Sequence, residues 1–180
     1  PVIGIVARLS EVKGHAYLIQ AMKAVLEAVK DAQLLIVGDG KIKEELQGLV
    51  RRLDIERSVF FMPSVRDTAK ILPIMDLFVL PSLKEGLGLS LMEAMAAGLA
   101  VIGSDVGGIR SLIEDGKNGL LVEPADPAAL SRAMLRLLSN HGESSSLGAA
   151  AKGFVRERFS SQGMVLETER LYLECVSANY

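Results

Sequence analysis

The sequence predicts a Rossmann-like α/β domain built on a doubly wound parallel sheet of about six strands. Short continuous apolar runs alternate with segments of helical period, as expected of strands buried on both faces. The 180-residue chain is also 49% apolar but only 4% aromatic, with no Trp, so its core is built from Leu, Ile, Val, Ala and Met. A single domain of this length can bury roughly 70% of the surface its unfolded chain exposes.

The elements follow in order. "VIGIVA" (2 to 7) reads as the first strand, and "GHAYLIQAMKAVLEAV" (14 to 29) carries apolar residues at helical spacing. "QLLIVG" (33 to 38), "KIKEELQGLVRRL" (41 to 53) and "SVFFM" (58 to 62) repeat strand, helix and strand. A short helix is expected around 67 to 74, then strand "LFVLP" (77 to 81), helix "LSLMEAMAAG" (89 to 98) and strand "AVIGS" (100 to 104). The turn-rich stretch after residue 105 holds a short helix and a sixth strand at 120 to 123. Asp126 before Pro127 places an N-cap acid and a first-turn proline at the head of a helix over 127 to 139. "NHGESSS" (140 to 146) reads as a polar loop, and helices over 147 to 158 and 161 to 177 close the chain.

Charge and cysteine content narrow the function classes. Twenty basic against 22 acidic residues give a net charge of -2, without the basic excess of a sequence-independent nucleic-acid binder. No apolar run approaches the roughly 18 residues of a membrane span. A lone cysteine, Cys175, forms no intramolecular disulfide, and no secretory apolar region opens the chain, so the expected compartment is the cytoplasm. Because Pro1 leads directly into a strand, the chain is expected to be a piece of something longer.

In a doubly wound sheet, ligands bind beyond the carboxyl ends of the strands, where strand order reverses. The loops to examine are 8 to 14, 38 to 41, 63 to 67, 81 to 89 and 103 to 109. "ARLSEVKGH" places Arg8 and Lys13 beside a helix N-terminus opened by Gly14, an arrangement that favours a phosphate or diphosphate. Two solvated loop cations are the simpler alternative. "EGLGLSLMEAM" repeats the arrangement: Gly86 and Gly88 permit close backbone approach, and a helix starts near Leu89. Leu89, Leu91, Met92, Met95 and Ala96 form an apolar surface on that helix, with Glu93 the acid in its first turns. Carboxylates accept paired hydrogen bonds from vicinal hydroxyls, so Glu93 suits a ribose diol and Glu85 a sugar hydroxyl. The alternatives are a Glu93 that complements the helix dipole and a solvated Glu85. Spacing alone does not choose between them.

Four stretches in register, "ARLSEVKG", "LLIVGDG", "VLPSLKEGLGLSLMEAMAAGLAVIGSDVGG" and "DGKNGLLVEPADPAALSRAM", resemble the donor-binding, C-terminal half of GT-B retaining glycosyltransferases of glycosyltransferase family 4. The resemblance runs from about residue 2 to about residue 175 and includes the Glu-x7-Glu pair, Glu85 and Glu93. It implies that Arg8 and Lys13 bind the diphosphate of a nucleotide sugar and stabilise the leaving nucleoside diphosphate. Glu93 then holds the ribose and Glu85 the donor sugar, with Gly86, Leu87, Gly88 and Leu89 lining the sugar and phosphate path. Arg8, Lys13 and Glu85 carry the catalysis.

The resemblance implies no cofactor and no metal, with cations in the metal's place. Uridine diphosphate sugars are the first expectation for the donor, and guanosine and adenosine donors the alternatives. An N-terminal acceptor domain is expected outside this chain, and any contact with the inner face of a membrane belongs to that half. The acceptor itself is not specified. Ala7 stands where Gly is common, Leu87 where Phe is common, Pro63 for a usual Gly, and Arg110-Ser111 for a usual Pro-Glu. Ser161-Gln162-Gly163 lacks an aromatic often found there.

Other polar residues receive plainer expectations. His15 reads as an exposed helix-end histidine and His141 as a solvated loop residue. Cys175, Met92 and Met95 read as packing, and Asp39 and Asp76 as turn or cap residues. A GT-B epimerase, a phosphorylase-like relative and a non-catalytic nucleotide-binding module remain the competing functions. A dinucleotide oxidoreductase is disfavoured because no Gly-x-Gly-x-x-Gly follows the first strand, and a response-regulator receiver because that strand ends without an acid pair.

Overall fold

The computed structural model describes residues 1–177. Each apolar run forms a strand where it was expected: β1 Val2–Val6, β2 Gln33–Val37, β3 Val59–Met62, β4 Leu77–Leu80, β5 Ala100–Ser104 and β6 Leu120–Val122. All pair in parallel, in the order β3-β2-β1-β4-β5-β6. Isoleucine, valine and leucine suit these positions because branched side chains pack well on a pleated sheet covered on both sides. Ile3, Ile5, Leu34, Ile36, Phe78, Val79, Val101 and Ile102 are fully buried.

Strand order reverses between β1 and β4, where Ile3 lies opposite Leu77 and Gly4 opposite Phe78. Right-handed crossovers therefore put α1 (His15–Ala28) and α2 (Lys43–Arg52) on one face. The same rule puts α3 (Leu89–Ala97) and the short α4 (Ile109–Leu112) on the other. Helix α5 (Pro127–Ser139) packs against α1, and α6 (His141–Arg158) against α3. Asp126 caps α5 as expected, its carboxylate accepting the Ala129 N–H at 2.9 Å.

Some elements differ from expectation. The segment 140 to 146 is not a loop but the first turns of α6, with the exposed His141 as its first residue. Asn140 caps it by accepting the Glu143 N–H at 3.1 Å, while the Glu143 carboxylate pairs with Arg136. Leu147, Ala151 and Val155 anchor the helix to the core, so packing and a cap override the weak propensity of Ser and Gly. The segment 67 to 74 forms two 3-10 turns, Thr68–Lys70 and Leu72–Ile74, where Pro73 excludes a regular helix. On α3 the buried face is Leu91, Ala94 and Met95, with Met92 half-buried, whereas Leu89 and Ala96 are exposed.

The last helix, α7 (Ser161–Ser177), buries no residue. Cys175 is accordingly exposed rather than buried in helix packing. Among the described residues no helix is long and apolar enough to cross a membrane.

Candidate functional site

The loops that follow β1 and β4 meet at the reversal point and are stitched together by their backbones. The first runs beside the end of β2, with Ala7 N–H donating to the Val37 carbonyl at 3.0 Å and Leu9 N–H to the Asp39 carbonyl at 2.9 Å. Asp39 in turn accepts both the N–H and the hydroxyl of Ser64, a turn-holding role that keeps its carboxyl below the ordinary range. Asp76 has a similar duty, accepting the Val2 N–H at 2.7 Å.

After a 3-10 turn over Glu11–Lys13, Gly14 adopts φ 72° and opens α1. A Cβ there would stand 1.9 Å from the Pro81 carbonyl oxygen, so only glycine lets the two loops come this close. Leu83 N–H completes the seam by donating to the Val12 carbonyl at 2.8 Å.

The seam brings together two residues 72 positions apart. Lys13 Nζ lies 2.6 Å from Glu85 Oε2, and the hydroxyl of the fully buried Ser82 donates to the same oxygen at 3.2 Å. The Lys13 and Glu85 side chains are only 22% and 11% exposed, so the pair is partly shielded from water and stronger than a surface ion pair. A third loop supports the arrangement from behind. Gly108 N–H donates to the Glu85 carbonyl at 2.9 Å, and a Cβ on Gly108 would lie 1.9 Å from the Gly86 carbonyl oxygen. The sequence offered Gly107 and Gly108 only as part of a longer motif; this contact gives the pair its physical reason.

The four charged residues expected at the site differ in their surroundings. Lys13 and Glu85 hold each other, while Arg8 and Glu93 are exposed and, among the described residues, form no ion pair. Gly86, Leu87 and Leu89 are exposed beside them, and Gly88 is buried at φ 74° as the N-cap of α3. Neither α1 nor α3 has a side-chain cap, so the first amides of both helices lack a side-chain partner at the reversal point. A groove of about 450 Å³ borders Arg8, between Ser10, Gly40 and Lys41. A larger surface hollow, about 820 Å³, lies elsewhere, between α1 and residues 54 to 58.

His15 is 1% exposed, contrary to the expectation of a solvated helix end. It follows Gly14, whose backbone lies against the Pro81 carbonyl, an approach of two loops that local sequence does not reveal. Burial lowers the imidazole to about 4, with the Lys13 charge adding to the effect and the Ser10 backbone opposing it. Among the described residues neither ring nitrogen has a partner in hydrogen-bond geometry, so the ring is buried in its neutral form. No three His, Cys, Asp or Glu side chains among the described residues converge as metal ligands.

The family profile of Glycosyl transferases group 1 matches residues 1–140 of this sheet and its loops. The chain belongs to that family. N-acetyl-alpha-D-glucosaminyl L-malate synthase of Bacillus anthracis is 35% identical over 169 residues, covering 94% of this chain and 44% of that protein. Among solved structures, Anabaena Alr3699/HepE in complex with UDP and glucose superposes with TM-score 0.86 at 26% identity, covering 98% of this chain and 48% of that one. The C-terminal domain of a glycosyl transferase group 1 family protein (LpcC) from Francisella tularensis superposes with TM-score 0.81 at 27% identity. That match covers 89% of this chain and 86% of the other. This glycosyltransferase chain spans less than half the length of the first relatives it matches.

Proposed function

We propose that this glycosyltransferase chain is the donor-binding half of a retaining, metal-independent enzyme that moves a sugar from a nucleoside diphosphate to an acceptor. The observation that carries the reading is the Lys13–Glu85–Ser82 cluster at the reversal point, with Arg8 and Glu93 exposed and without an ion pair among the described residues. Arg8, Lys13 and the first amides of α1 and α3 favour a diphosphate there. They oppose the negative charge that builds on the departing phosphate oxygen, the role a metal fills in other transferases. Lys13 has three N–H donors, which phosphate oxygens and Glu85 share. Glu93 is left for the ribose diol, and Glu85 for a hydroxyl of the donor sugar.

A uridine donor is the first choice, supported by the UDP held by the Anabaena relative. The acceptor site belongs to a second domain outside this chain, so the chain binds donor and turns over little by itself. Thermal melting with UDP, GDP and ADP, in chelator and without metal, tests the reading. One nucleotide at a hundredfold excess over its Kd should stabilise the chain by about 2.7 kcal/mol. Arg8→Ala and Glu93→Ala should both erase that shift. Stabilisation that requires added divalent metal would refute metal independence, and stabilisation untouched by either substitution would place the nucleotide elsewhere.

A further inference from the structure

The two oxygens of Glu85 are in different states. Oε2 receives Lys13 Nζ at 2.6 Å and Ser82 Oγ at 3.2 Å, whereas Oε1 accepts no hydrogen bond from the described residues. An ionised carboxylate has about four lone-pair positions, so Oε1 keeps its accepting capacity. The two donors to Oε2 also differ in what a diphosphate does to them. Lys13 is charged and faces the same loop as Arg8, so phosphate oxygens compete for its protons. Ser82 is neutral and 0% exposed, and no phosphate reaches it without opening the seam between Val12 and Leu83.

We infer that Ser82 is a positioning residue for the donor sugar: its hydroxyl keeps Oε2 of Glu85 in place when a diphosphate draws on Lys13, so that Oε1 accepts from one sugar hydroxyl. Glu85 then reads the sugar through a single oxygen rather than bridging two hydroxyls. The backbone bond from Gly108 to the Glu85 carbonyl fixes the main chain, which leaves the side chain's rotation to Ser82 and Lys13. This inference rests on the donor-binding reading above and adds to it a residue that touches neither nucleotide nor sugar.

Calorimetric titration of the chain with UDP and, separately, with UDP-glucose tests it in the wild type, Ser82→Ala and Ser82→Cys. Ser82→Ala removes a hydroxyl and keeps the Cβ packing, so the UDP Kd should stay within about twofold while the UDP-glucose Kd weakens about five- to tenfold. Ser82→Cys retains a weak donor of similar size and should fall between wild type and alanine for UDP-glucose. It also answers the question if the alanine variant does not fold.

A merely structural serine predicts a different result, with both ligands weakened by the same factor. That outcome, or no change in either, would overturn the inference while leaving the donor reading intact. A wild type that binds neither UDP nor UDP-glucose would overturn both.

Discussion

On the floor of the crevice, Lys13, Ser82 and Glu85 are held by one another and by close backbone contacts; on its rim, Arg8, Gly86 and Glu93 are exposed and form no side-chain hydrogen bond or ion pair among the described residues. Arg8 and Gly86 come from the same loops as the floor residues, Gly86 directly beside Glu85, and Glu93 from the helix that follows. The floor is fixed before any ligand arrives, because three loops approach so closely that glycine is required at Gly14 and Gly108. Rim residues contribute little to the fold, so their chemistry is free to serve a ligand. Substitutions should therefore separate into a class that costs stability and a class that costs binding alone.

Gly14→Ala should break the floor with the largest effect. The added methyl must occupy φ 72° and would collide with the Pro81 carbonyl oxygen at 1.9 Å. Left-handed backbone costs roughly 1–2 kcal/mol and overpacking about 1–3, which together predict a loss of about 2 to 5 kcal/mol. The melting temperature should fall by on the order of 10 °C. Gly86→Ala is the matched control on the rim, since a Cβ there meets nothing within 4 Å and stability should stay within about 0.5 kcal/mol. Equal losses in the two variants would erase the distinction between floor and rim.

Acid provides a second, smaller test of the floor. The folded pKa of His15, about 4, lies below its ordinary value of 6.5, so the unfolded chain binds the extra proton more readily. The contribution from His15 is therefore complete above pH 6.5 and declines as pH falls toward 4. At pH 5 the loss should be about 2 kcal/mol relative to pH 7.5, and a His15→Phe variant should lack it. Urea unfolding at the two pH values measures the difference. An unchanged pH dependence in the variant would show that His15 is not the group responsible.

This division also explains what could be read from the sequence. The six strands were legible because each apolar run is short and bounded by turn residues, whereas the place where strand order reverses, between β1 and β4, came from the sheet pairing alone. Arg8, Lys13, Glu85 and Glu93 were legible as candidates because loops after strands have few reasons to concentrate charge beside glycine. The Lys13–Glu85 contact was not legible, since it depends on β1 lying beside β4 and joins residues 72 apart. Ser82 carried no signal for the same reason.

His15 was misread because helix-end position suggests solvent, whereas its burial is set by tertiary structure. The start of α6 was missed because Ser144, Ser145 and Ser146 lower local propensity, and its anchors at Leu147 and Ala151 act only through packing. Helix α7 shows the converse. Its pattern is as helical as that of α1, yet it buries nothing, because period specifies a face and not what covers it.

The smallest effect on stability, and the most informative, is expected at Glu93. It is the fifth residue of α3, beyond the first turn in which a carboxylate gains from the helix dipole, and among the described residues it has no hydrogen-bond or ion-pair partner. Alanine is at least as good a helix former, so Glu93→Ala should leave the unfolding free energy within about 0.5 kcal/mol. Loss of a paired hydrogen bond to a ribose diol should instead weaken UDP on the order of tenfold or more, read by titration on the same sample. Glu93→Gln keeps acceptor geometry without the charge and should fall between the two. If the alanine variant melts lower and binds UDP unchanged, Glu93 serves the helix rather than the nucleotide, and the rim loses the residue that best defines it.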